Sequence, residues 1–414
     1  MRKLLSIVAV ASFVGITSTA MSVSRDPSLV DGHEPGGHFL TFDPDDSAAQ
    51  ATLPQSDLGE ALFFRDWTQT DGESRAAAGP QLDAPACASC HVEIHARRGH
   101  RTDAIAPLVV KPATYDQLQR FGAQLNTSAV DGLRAEIDLH IEYETSEFQY
   151  ADGHTVTLRR PIGWIDGPEA SREVVALRAT PLIYGWGLLE SVDPDMIRHY
   201  ADPHDKNEDG VSGEVRVAGD DLAIMGWKNG HATMESQVAT ALANDMGIQS
   251  LRSCGDDCAI EISETELSAL SNYVRRIGVP DRRALPDLAG QHLFGQVGCN
   301  QCHVPVLMTV QTSEAWNSKQ TLWPYSDLLL HDMGEELADP TSEADRREWR
   351  TAPLWGIGIM EQFAPKRGFL HDGRARTIEE AILWHGGEAR RSRQAFSELT
   401  QSQRDALLTY VRAL

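Results

Sequence analysis

Apolar positions at helical spacing dominate the chain. "ETELSALSNYVRRIG" (264–278) is amphipathic with an acidic first turn, and "RTIEEAILWHGG" (376–387) carries apolar residues up to a Gly stop. "SELTQSQRDALLTYVRAL" (397–414) opens on a Ser or Thr cap and predicts a closing helix. One stretch breaks the period. "SEFQYADGHTVTLRRPIGWI" (146–165) alternates about Asp152-Gly153 and predicts a β-hairpin. Residues 21–55, rich in Asp, Pro and Gly, read as an extended lead-in, and "GVPDRRALPDL" (278–288) reads as a linker.

The same elements recur in order. "GEALFFRD" (59–66) matches "GQHLFGQ" (290–296), "RATPLIYGWGLLE" (178–190) matches "RTAPLWGIGIME" (350–361), and "NGHATMESQV" (229–238) matches "DGRARTIEEAI" (372–382). Between the first two matched segments of each half stands one pentapeptide, "CASCH" (87–91) and then "CNQCH" (299–303), which takes four of the six cysteines. C-x-x-C-H is the attachment signature of c-type haem. Cys87 and Cys90, three apart, present both thiols on one helical turn for thioether bonds to the porphyrin edge. His91 follows as the proximal iron ligand, and Cys299, Cys302 and His303 repeat the set. A zinc knuckle would want further Cys or His partners, and a redox dithiol needs no following His. The expectation is two covalently bound haem c groups. The fold expected is mainly α: two tandem cytochrome c-like domains, 56–280 and 281–414, with a small β-hairpin insertion in the first.

Haem c is assembled outside the cytoplasm, and the N-terminus suits export. Arg2 and Lys3 precede the apolar "LLSIVAVASFVGI", and Ser18-Thr19-Ala20 offers a small-residue cleavage site, so 1–20 read as a signal peptide and the product as periplasmic. No later segment approaches a membrane span. The formal charge of −23 excludes nucleic acid as a partner and suits a basic electron donor, although solubility alone would also explain it. Cys254 and Cys258 read as a disulfide, with a catalytic dithiol as the alternative. Asp205, Asn207 and Asp209 alternate before Gly210 in the manner of a calcium loop. Arg216 stands where the bidentate Glu would be, so Glu214 is the fourth candidate ligand, and a solvated acidic turn is the alternative.

The segments "GWKN", "ANDMG", "YSDLLLHDMG", "EWRTAPLWG" and "LHDGRARTIEEAILWHGGEA" resemble those of bacterial di-haem oxidoreductases, a group similar to the di-haem cytochrome c peroxidases. The resemblance runs from about residue 55 to the C-terminus and departs just after the first haem motif, where "HVEIHARRGHRT" lacks a Gly-rich run. It implies a peroxide-reducing haem at Cys87/Cys90 and an electron-collecting haem at Cys299/Cys302, served by a small soluble donor, a cytochrome or a cupredoxin. By motif it carries over Trp227 as the residue between the haems, Gln237 ten positions on as a pocket amide, and Asp245 as a pocket acid. On the helix where the relatives place a Met ligand, this chain has His385, which implies bis-His ligation and a lower reduction potential; His371 competes for that role. On the first haem, His95, His100 or no residue is the distal ligand; His140, His154 and His231 are weaker candidates. His331 and Met333 read as core residues beside the second haem crevice. A non-catalytic di-haem carrier and an oxidase of a protein or thiol substrate are the competing functions.

Overall fold

The computed structural model describes residues 54–68, 79–91, 107–168, 171–254, 258–280, 288–341 and 343–414, with the short strand pair Val30–Asp31 and Leu40–Thr41. The signal segment, most of the lead-in, His95 and His100 lie outside the described residues.

Two helix pairs frame the molecule, one in each half. The helix Pro54–Phe64 packs against Glu264–Arg275, and Leu288–Gln296 packs against Gln401–Arg412. Each crossing depends on a glycine. A Cβ on Gly59 would strike the Ala269 carbonyl and come within 2.7 Å of Tyr273 Cβ. A Cβ on Gly290 would strike the Ala406 carbonyl and come within 2.5 Å of Tyr410 Cβ. The repeated segments of the sequence thus build the same close contact twice. Both later helices begin with a capping box, Ser263 with Glu266 and Thr400 with Gln403, which satisfies their first free amides.

A mainly α pair of cytochrome c-like domains is not what the chain forms. It is 36% helical and 19% strand, with several small sheets. Among the described residues there are five two-stranded ribbons and one four-stranded antiparallel sheet. The expected hairpin forms one side of that sheet, with its first strand at the edge, and is longer than 146–165. Leu139–Gln149 pairs with Thr155–Asp166, from Leu139 opposite Ile165 to Gln149 opposite Thr155. Arg172–Arg178 and Val109–Lys111 then extend it. The first strand is largely exposed, so "LHIEYETSEFQ" shows little apolar alternation. Ribbons of two or three residues are too short to leave any period.

The sheet serves as a strut. Tyr150, Val156 and Leu158 near the hairpin turn join the core of the C-terminal half. Tyr150 Oη donates to Glu379 at 2.9 Å, Arg404 Nη2 donates to Asp152 at 2.6 Å, and Arg159 Nε donates to the Arg374 carbonyl at 3.1 Å. In the other direction Leu307, Leu322, Leu328 and Trp355 enter the core of the N-terminal half. The two halves are laced together, which fixes the distance between the sites they carry.

Candidate functional site

Two cavities lie on either side of a common wall. The first, of ≈ 530 Å³, is lined by Cys87, Cys90, His91, Trp227, Gln237 and Asp245. The second, of ≈ 230 Å³, is lined by Cys299, Cys302, His303, His331, His371 and His385. Pro181, Trp186 and Trp227 line both. Trp227 is held by its indole Nε1, which donates to the Ala179 carbonyl at 2.7 Å.

In the second cavity His303 and His385 face each other with ring centres 6.5 Å apart. Each ring is anchored through Nδ1, His303 to the Tyr325 carbonyl at 2.8 Å and His385 to the Ala381 carbonyl at 2.7 Å. Both Nε2 atoms are thereby left for a metal, the usual outer-sphere arrangement of a ligating histidine. Burial lowers the pKa of His303 to about 4 and also lowers that of His385, so both are neutral bases at pH 7. Burial pushes the Cys299 thiol up to about 12 and raises that of Cys302. His385 ends the helix Ile378–Trp384, and the two glycines that follow let the chain lie against the strand Leu330–Asp332 and its exit. A Cβ on Gly386 would come within 2.8 Å of the Met333 carbonyl oxygen.

The other histidines are engaged elsewhere. His371 stacks on Trp349, ring centres 3.6 Å apart and planes 7° from parallel. His331 sits buried between two carboxylates, with Nε2 2.9 Å from Asp327 and Nδ1 2.8 Å from Glu388, and its pKa is raised well above the usual value by these partners against the cost of burial. Met333 lines neither strand pair nor core alone but the second cavity itself. His140 stacks on Trp164 and His154 on Tyr150, while His231 lines the first cavity.

In the first cavity, Cys87–Cys90 forms a single helical turn and His91 caps it, donating its amide to Cys87 O at 3.0 Å. Burial, reinforced by Asp245, pushes the Cys87 thiol up to about 12 and raises that of Cys90. Gln237 and Asp245 lie on one face of the helix Met234–Met246 but eight residues apart, which is about 12 Å of helix axis. They therefore address opposite ends of the cavity. Gln237 Oε1 is buried without a hydrogen-bond partner, 3.5 Å from where a Cβ on Gly226 would stand. Asp245 instead joins a network that the sequence did not reveal. Gln124 Nε2 donates to Asp245 and to Asp83, each at 2.6 Å, and Gln124 Oε1 accepts from Lys111 Nζ at 2.6 Å. Burial raises the pKa of Asp83 to about 6 and also raises that of Asp245. Asp83, Gln124 and Lys111 come from three loops or strands far apart in sequence, so no local motif marks them.

The loop carrying Asp205, Asn207, Asp209 and Glu214 turns back on itself. Gly210 N donates to Asp205 Oδ1 at 3.1 Å, and Asn207 Nδ2 donates to Asp209 Oδ2 at 3.0 Å. Glu214 is exposed, its backbone paired with Leu330. Among the described residues, the group of three acidic, His or Cys ligand atoms within 4.8 Å of one another is Cys302, Asp327 and His331, not this loop. Cys254 and Cys258 are joined by a disulfide. No helix among the described residues is long and apolar enough to cross a membrane.

Paired thiols beside a histidine line each of two adjoining cavities, the donor set that two haems would need. Residues 250–414 match the family model described as "Di-haem oxidoreductase, putative peroxidase", which supports an oxidoreductase. No curated protein and no solved structure matches the chain. The second cavity fits a haem in particulars: two neutral thiols, two opposed imidazoles with unused Nε2 atoms, and Arg350, a buried guanidinium with no carboxylate partner among the described residues, available to a propionate. The first cavity fits through its thiol pair and the unpartnered Gln237 oxygen.

Proposed function

We propose that the protein is an exported, periplasmic oxidoreductase with two covalently attached haem c groups. In this reading it reduces hydrogen peroxide at the Cys87/Cys90 site with electrons admitted at the Cys299/Cys302 site. The observation that carries it is the shared wall: one indole, Trp227, borders both cavities. The balanced reaction is H2O2 + 2 H⁺ + 2 e⁻ → 2 H2O. Bound haem supplies the iron at which peroxide is reduced.

The chain's own residues then have separable tasks. His303 and His385 would both hold the iron of the second haem, which would leave that site as a relay with no place for substrate. Gln237 lines the first site and offers its side-chain amide there as a hydrogen-bond partner for peroxide. Asp245 lines the same cavity, and Gln124 ties it to Asp83, whose pKa burial raises to about 6, so the pair is placed to supply a proton to the site. Trp227 is the aromatic bridge for single electrons. A small soluble donor, a cytochrome or a cupredoxin with a basic face, complements the charge of −23. Calcium at Asp205, Asn207, Asp209 and Glu214 is a structural proposal supported by the loop's spacing and turn.

The test is spectroscopy of the half-reduced protein followed by peroxide turnover with a reduced cytochrome. Two covalent haems, a high-spin signal after one-electron reduction and donor oxidation on peroxide addition are expected. Purely low-spin iron in every state with no turnover would instead identify an electron carrier.

A further inference from the structure

Three tryptophans could pass an electron between the cavities, and the charges around them differ. Trp227 and Trp186 lie in the shared wall, and Trp349 lines the second cavity beside it. Trp349 is sandwiched. His371 covers one face at 3.6 Å, and Lys228 Nζ stands 3.8 Å from the ring centre, with the Arg178 guanidinium at 4.8 Å. Both cations border the first cavity. Asp339 holds them, bidentate to Arg178 at 2.6 and 2.5 Å and 3.6 Å from Lys228. Arg178 and Lys228 stand against Asp339; a second carboxylate that acts on Lys228, Asp345, is itself paired with Arg216 at 2.7 Å, and buried His371 is neutral, so the indole lies under net positive charge. Trp186 has the Arg350 guanidinium at 4.8 Å. No cation stands over Trp227 among the described residues, and its indole donates to a backbone carbonyl just as that of Trp349 does. Charge, not hydrogen bonding, distinguishes them.

We propose that Lys228 and Arg178, held by Asp339, keep Trp349 from being oxidised, so that electrons cross between the cavities by way of Trp227. The proposal rests on the peroxide reading above and adds the device that selects the route. A cation attracts the neutral ring. It repels the ring once an electron has left, and for unit charges 3.8 Å apart at an effective dielectric of about 20 that repulsion is about seven times thermal energy. Trp349 is therefore both held tightly and hard to oxidise. Without the cation, Trp349 would lose two electrons to peroxide in the net step Trp + H2O2 → hydroxy-Trp + H2O. Peroxide's O–O bond breaks, one oxygen forms the new C–O bond, and the other leaves as water with the displaced ring proton.

The experiment treats the haem-loaded protein with stepwise peroxide in the absence of donor, then maps oxidised tryptophans by peptide mass spectrometry. Wild type should accumulate product at Trp227 and little at Trp349. Lys228→Met should raise hydroxylation at Trp349 by about tenfold or more, a conservative floor given the repulsion above. Lys228→Arg, which keeps the charge, should leave it at the wild-type level, separating lost charge from loosened packing. Equal oxidation of Trp349 and Trp227 in wild type would overturn the proposal. So would a Lys228→Met protein in which Trp349 stays intact while Trp227 is modified. Failure of wild type to consume peroxide would overturn the underlying reading and this role with it, and that failure is told apart because it appears before any variant is made.

Discussion

His385→Ala tests the second site most directly. The ring centres of His303 and His385 are 6.5 Å apart. Both rings are anchored through Nδ1, which leaves each Nε2 as the donor that would hold an iron between them. Truncation removes the Nδ1 bond to Ala381, worth about 1 kcal/mol, and leaves a small cavity, for a total of about 2–4 kcal/mol. That is less than the stability of a typical domain, about 5–15 kcal/mol, so the variant should fold and keep both thioethers. The resting absorption and EPR spectra should lose the low-spin signal of one haem per chain and gain a high-spin one. Added imidazole should restore low spin by occupying the vacated space. His385→Met should keep low spin and raise the midpoint potential. An unchanged spectrum in His385→Ala, or the same loss in His371→Ala, would refute the ligand assignment. His371→Ala is the sharp control because its ring is stacked flat on Trp349.

Gln237→Ala should slow peroxide reduction without moving the potential of the second haem, as read by stopped-flow kinetics and redox titration. Burial raises the pKa of the Asp83 carboxyl from its ordinary value of 3.8 to about 6 on folding, so the folded state prefers its protonated form. Its contribution is fully present below the unfolded pKa and is lost as pH rises to about 6, roughly 3 kcal/mol at about 1.4 kcal/mol per unit. Thermal unfolding of Asp83→Asn should accordingly show a smaller fall in stability between pH 4 and pH 6 than wild type. His331→Gln removes the cation between Asp327 and Glu388 and should cost about 3–5 kcal/mol, measured as a lower urea midpoint. Gly290→Ala forces a Cβ into Ala406 O and should destabilise by about 1–3 kcal/mol by the same assay. Millimolar calcium should raise the unfolding temperature of wild type but not of Asp205→Asn/Asp209→Asn; equal shifts would show that the loop is not the site.

What could be read from the sequence was whatever chemistry packs into a short segment. The two C-x-x-C-H motifs and the Trp227–Gln237 spacing each occupy a dozen residues or fewer, and each lines a cavity in the structure. The helix caps at Ser263 and Thr400 are equally local. The strut sheet was only half visible, because Leu139–Gln149 faces solvent and Arg172–Arg178 finds its partners across many residues. Residues such as Asp83 and Gln124 were invisible for the same reason: their importance comes from meeting Asp245, 162 and 121 positions away in the chain.

That meeting also alters the chemistry drawn from the spacing alone. A Gln and an acid on one helix suggest an amide and a carboxylate acting together on one peroxide. Two helical turns separate them, and Asp245 lies near Asp83, Cys87 and Cys90. Under the proposed function, Gln237 positions peroxide while Asp245 with Asp83 supplies protons from two helical turns away. Replacing Gln237 should lower the rate at every pH, whereas replacing Asp83 should shift the pH at which the rate falls. The wall residue Trp227 is the chain neighbour of Gly226, which packs beside the Gln237 amide oxygen, so under the proposed function electrons enter at the Gln237 end of the cavity.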